Sequence, residues 1–179
     1  MQKNKMVNIY LYSRYERFWH WLQSTLIIIL LLTGFELHGT FSLFGFRSAV
    51  DVHNFVGLSW LILFAFFIFW LFTTGEFKQY IPTTRKMLAV VRYYSYGIFR
   101  GETHPVPKRR ELKHNPLQRL VYLSLAALLL PIQMATGFLY WGYNSWPTWG
   151  LEWLSLPVIA FIHIAGAFAI LSFLVVHIY

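Results

Sequence analysis

Four apolar stretches, each long enough to cross a bilayer, set the terms for this 179-residue chain: residues 18–37, 54–74, 117–141 and 156–179. About 20 helical residues span the roughly 30 Å hydrocarbon core. Inside that core every backbone N–H and C=O needs a partner within the protein, which leaves helices or closed barrels. Runs this long and this continuously apolar predict helices. The expected fold is all-α: a bundle of four transmembrane helices forming one domain over 1–179, with 75–116 as its longest connection. The first run is too long for a signal peptide's apolar segment. Gly34-Phe35-Glu36-Leu37 is also a poor small-residue cleavage site, so this run is read as retained.

The basic residues orient the bundle. Lys3, Lys5, Arg14 and Arg17 lie before or at the start of the first span. Lys78, Arg85, Lys86, Arg92, Arg100, Lys108, Arg109, Arg110, Lys113 and Arg119 lie between the second and third spans or just inside the third. The other two connections hold Arg47 alone, so fourteen of fifteen basic residues share one side. The positive-inside rule makes that side cytoplasmic and puts both termini there. The net charge of +8 is thus a topology signal facing membrane lipid, and no nucleic-acid partner is expected. Residues 79–100 interleave basic with apolar side chains and predict a helix lying on the inner surface. The aromatic stretch 145–153 predicts an outer loop at headgroup level. No internal repeat is evident.

Composition narrows the chemistry. With 57% hydrophobic and 12% charged residues, the chain is far more apolar than a soluble domain. The absence of cysteine excludes disulfides, thiolate zinc sites, cysteine-ligated iron–sulfur clusters and covalent c-type haem. Seven acidic residues argue against a carboxylate metal cage.

Histidines at membrane depth are costly and mark function or a partner. His163 and His177 are fourteen residues apart, which turns 1400° and leaves them about 40° from one face, roughly 21 Å apart in depth. His20 lies at the inner end of the first span and His53 at the outer end of the second. Depth therefore pairs His20 with His177 inside and His53 with His163 outside. Two imidazoles per layer, without acids or thiols, suit the axial ligands of six-coordinate b-type haem better than tetrahedral zinc. The reading is two stacked haem b groups. Gly34, fourteen residues after His20, would give a porphyrin a wall without a side chain. Gly57 and Gly166, near His53 and His163, would make similar room, unless they serve close helix packing. Arg17, one turn before His20, and Arg47 outside are candidates for haem propionates or lipid headgroups. His38 is an alternative outer ligand to His53. His104 and His114 are expected to be solvated.

The motifs RFWHW at 17–21, DVHNFVG at 51–57 and KHNPLQR at 113–119, with the His163/His177 spacing, carry a resemblance. The chain resembles the four-helix, di-haem cytochrome b subunits of membrane-bound hydrogenases, formate dehydrogenases and thiosulfate reductase-like complexes. The resemblance covers all four spans and implies the same two histidine pairs. It also implies a bacterial inner-membrane protein with a cytoplasmic site for menaquinone or ubiquinone beside the inner haem. Asn115 and Gln118 would hydrogen-bond the quinone there, although Leu117 stands where some relatives carry glycine. Taken alone, Asn115-Pro116 also reads as a helix start, with Asn115 as N-cap. The implied activity is electron transfer between the quinone pool and an outer-side iron–sulfur or multihaem c-type cytochrome subunit. Substrate chemistry would reside on partner subunits. Two rivals are a membrane anchor without haem and a small transporter with histidine proton relays.

Overall fold

The computed structural model describes residues 10–107 and 113–178. Lys3, Lys5, Lys108, Arg109, Arg110 and Tyr179 lie outside the described residues. Among the described residues there are helices and turns and no strand. Helix α1 (Arg14–Leu37) starts from a reciprocal cap. Ser13 Oγ accepts from the Glu16 N–H at 3.2 Å, and a Glu16 carboxylate oxygen accepts from the Ser13 N–H at 2.6 Å. Helix α2 (Phe46–Thr74) ends at Gly75, which takes φ +75°. The third span is α4 (Pro116–Ser124), a π turn over Leu125–Leu129 and α5 (Leu130–Trp141). The π turn meets Pro131, which has no N–H and would otherwise crowd the carbonyl one turn back. Helix α7 (Leu156–Ile178) is the fourth span. The four spans contain 24, 29, 26 and 23 residues, so each is long enough to cross a bilayer.

Two expectations shift. Helix α2 begins at Phe46, eight residues before the predicted apolar boundary at 54, so His53 lies two turns inside it. Hydropathy reads where lipid begins, whereas the helix extends to its cap. The connection is also not one helix over 79–100. A 3₁₀ turn (Glu76–Tyr80) leads to the extended Ile81-Pro82, and α3 (Met87–Arg92) starts only after Lys86, at φ 62°. A π turn and a 3₁₀ turn then carry the helical path to Arg100. The outer loop holds a short α6 (Trp146–Trp149).

Helix α1 packs on α2, α5 on α7, and α2 on α5. Trp60, Leu130, Met134 and Ile170 form the core, flanked by Leu26, Ile27, Leu30, Leu63 and Phe64. Ile170 lies seven residues from both His163 and His177, so the core sits midway between the two histidine layers. Many large apolar side chains point outward, among them Phe55, Phe66 and Phe69. In water that would be costly; facing acyl chains it is the expected arrangement.

Candidate functional site

The structure brings the four histidines together in two pairs. At the end of the bundle that carries the long connection, the His20 and His177 ring centres are 6.1 Å apart. Toward the opposite end, those of His53 and His163 are 6.3 Å apart. The unbroken helix α7 holds both layers at a depth difference of about 21 Å. Helices α1 and α7 approach one another through rings, His20 with His177 and Phe35 with Phe168.

The outer pair is built from all four spans. His53 Nδ1 lies 2.8 Å from Thr33 Oγ1 of α1. His163 Nδ1 lies 3.1 Å from Thr136 Oγ1 of α5. Gly34 and Gly137 back onto the same rings. A Cβ on Gly34 would lie 3.5 Å from His53 Cε1, and one on Gly137 only 2.9 Å from His163 Cε1. Gln133 Nε2 stands 3.2 and 3.3 Å from the two His163 ring nitrogens, and its Oε1 is buried without a partner. Thr33, Thr136, Gly137 and Gln133 escaped the sequence reading. The signal was present as a short repeat: Thr-Gly-Phe occurs at 33–35 and again at 136–138.

These residues fit haem. An iron held by two imidazoles needs ring centres about 6.4 Å apart, from metal–nitrogen bonds of about 2.0 Å and roughly 1.2 Å from each nitrogen to its ring centre. Both pairs meet that span. No three of His, Cys, Asp or Glu gather among the described residues, so a metal cage of protein ligands alone is not offered. The family model for prokaryotic cytochrome b561 matches residues 11–179.

The chain belongs to the prokaryotic cytochrome b561 family.

It is a multi-pass membrane protein of a b-type cytochrome family, in line with the expectation from its motifs. It is 33% identical over 139 residues to the Escherichia coli (strain K12) protein named "Putative cytochrome YdhU", which covers 73% of this chain and 52% of that one. The chain thus spans about half the length of that relative. It is 26% identical over 200 residues to a Bradyrhizobium diazoefficiens protein named "Probable Ni/Fe-hydrogenase B-type cytochrome subunit", covering 96% of this chain and 76% of that one. A Rhodobacter capsulatus protein of the same name is 22% identical over 199 residues, covering 98% and 74%. No solved structure matches the chain.

The remaining candidates of this b561 chain lie as follows. Asn115 and Gln118 cap α4 reciprocally. Asn115 Oδ1 accepts from the Gln118 N–H at 2.9 Å, and Gln118 Oε1 accepts from the Asn115 N–H at 3.0 Å. Both also line a cavity of about 420 Å³ with Tyr93, Tyr94, His104 and Lys113. Gln118 is one turn from Tyr122, whose ring meets His177 at 6.3 Å. Arg17 lies over the Tyr10 ring at 5.2 Å, and Arg47 is exposed at the opposite end. Gly57 packs against Leu30, and Gly166 against the Gln133 side chain. His38 is exposed at the end of α1.

The expectation that His114 is solvated fails, whereas His104 stays partly exposed. His104 Nδ1 is 2.7 Å from the Val106 carbonyl oxygen. The His114 ring is packed by Tyr12, Tyr80 and Tyr122, and its Nδ1 is buried. Beside it Lys113 Nζ donates to Glu16 and Glu76, each at 2.9 Å. Aromatic side chains from three segments close over His114, which a one-dimensional hydropathy reading assigns to solvent.

Proposed function

We propose that this chain conducts electrons across the membrane through two b-type haems, one on His20 and His177, the other on His53 and His163. The observation that carries the reading is the pair of ring separations, 6.1 and 6.3 Å, each matching two imidazoles on one iron. A haem iron with two histidine ligands has no open position, so it passes single electrons rather than binding small molecules. The residues' task is to fix that ligation and the spacing between layers. Helix α7 supplies one ligand to each layer, while α1 and α2 supply the opposing ones. The apolar core around Trp60 and Ile170 keeps water from the path between them.

The cavity at Asn115 and Gln118 is read as the quinone site, on the side made cytoplasmic by the basic residues. Gln118 uses only its carbonyl oxygen in the helix cap, which leaves its NH₂ to donate to a quinone oxygen. The path from cavity to inner layer runs along α4 from Gln118 to Tyr122 to His177. The names of the two hydrogenase-type relatives support a membrane subunit that works with catalytic partners. The partner proposed at the outer face is an iron–sulfur or multihaem c-type subunit.

The test is spectroscopic. The membrane protein should contain two haem b per chain, and His163→Ala and His177→Ala should each lose one while keeping the other. Full haem content in either variant defeats the assignment. Gln118→Glu keeps the capping oxygen but removes the amide donor. It should slow haem reoxidation by a quinone analogue at unchanged haem content; an unaltered rate removes Gln118 from the site.

A further inference from the structure

The geometry points to Thr33 and Thr136 as positioning residues that fix the proton on the outer histidines and thereby set the potential of the iron between them. This rests on the assignment of a haem to His53 and His163.

Each hydroxyl proton has an acceptor on its own helix. Thr33 Oγ1 donates to the Ile29 carbonyl at 2.8 Å, with the Leu30 carbonyl at 3.3 Å. Thr136 Oγ1 donates to the Ile132 carbonyl at 2.7 Å, with the Gln133 carbonyl at 3.1 Å. A hydroxyl has one proton, and both are committed to their own helices. Toward the imidazole each oxygen can therefore only accept. His53 and His163 must carry their hydrogen on Nδ1, which leaves the Nε2 lone pair for a metal.

The device occurs twice, with the same parts. Each Thr-Gly-Phe triplet sets a buried hydroxyl against Nδ1 and a bare glycine against Cε1 of a histidine on another helix. Thr33 is 0% and Thr136 6% exposed, so water does not substitute for either oxygen. Across the described residues, neither His20 nor His177 has a hydrogen bond from a ring nitrogen. The two layers thus differ in what lies behind the ligand. An Nδ1–H donated to oxygen makes the imidazole a stronger base and favours ferric over ferrous iron. The outer centre is held at a lower potential than it would have without the threonines.

The experiment is a redox titration of the full chain in detergent, followed by difference spectra and electron paramagnetic resonance. The variants are Thr33→Val, Thr136→Val and the corresponding serine substitutions. Valine keeps threonine's shape and lacks the hydroxyl; serine keeps the hydroxyl. Each valine variant is expected to raise the midpoint of the component that His163→Ala removes, leaving the other component unmoved. Each serine variant should restore the parent value. Selective loss of the outer haem in the valine variants, with return in the serine variants, supports the same conclusion. Full haem content with an unshifted midpoint overturns it. So does loss of haem with both valine and serine, which would assign the threonines to packing alone. If His163→Ala retains both components, it is the haem assignment that falls, and the two failures are told apart.

Discussion

Gly137 is pressed against His163: a Cβ at that position would lie 2.9 Å from Cε1 and 3.5 Å from Nδ1 of the ring. Gly137→Ala must therefore push the imidazole aside. Overpacking of this kind costs roughly 1–3 kcal/mol. We expect the outer haem to be lost or its spectrum altered, read as haem per chain. Gly34→Ala, whose Cβ would meet His53 at an ordinary 3.5 Å, should displace its ring less than Gly137→Ala displaces His163. A Gly137→Ala protein with full haem and an unchanged spectrum would show that His163 is not fixed from this side.

Glu36 holds the start of α2 in place. Its buried carboxylate accepts from the backbone N–H groups of Leu43, Phe44 and Gly45 at 2.8–3.1 Å. Glu36→Ala strands those donors, at a cost of about 2–4 kcal/mol. Glu36→Gln keeps one acceptor oxygen and should lose about half as much. Thermal unfolding in detergent checks the order of the three proteins; an alanine variant as stable as the parent removes Glu36 from this role.

Lys113 ties the end of the connection to α1 through Glu16 and to the 3₁₀ turn after α2 through Glu76. Lys113→Met leaves two carboxylates facing each other and should destabilise by about 2–3 kcal/mol, less than for a fully enclosed pair because both acids keep some solvent. Burial disfavours the Lys113 charge, but the bonds to Glu16 and Glu76 outweigh it and raise the pKa above 10.5. With a raised folded value, the stabilisation is complete below pH 10.5 and disappears as pH climbs past the folded pKa. That alkaline loss should be absent from the methionine variant when melting is followed from pH 9 upward.

His114 gives the opposite dependence. Burial lowers its pKa from 6.5; the Gln79 backbone opposes this, and the charges of Arg119 and Lys113 add to it. The unfolded chain then takes up a proton that the folded one resists. Stability is complete above pH 6.5 and falls as pH drops through the lowered folded value. His114→Phe keeps a ring among Tyr12, Tyr80 and Tyr122 and has nothing to protonate. Its melting temperature should fall less than the parent's between pH 8 and pH 5; equal losses would place the acid sensitivity elsewhere.

The four helices are legible along the chain, because lipid leaves an apolar run of 20 or more residues one way to satisfy its backbone. So is which histidines share a face of α7, because 100° per residue is fixed by covalent geometry and the helical hydrogen bond. Both are local properties that can be counted along the chain. The ends of α2 and the break before α3 were less legible, since caps and a positive φ at Lys86 decide them. What stands behind each imidazole is set by how the helices pack. Thr33 and Thr136 are ordinary helix residues until α1 meets α2 and α5 meets α7, and Gly137 is one small residue among several. Their roles come from contacts between helices, 20 residues apart in the chain for Thr33 and His53 and 27 for Thr136 and His163. No periodicity within one helix encodes a distance to another, so packing had to set it.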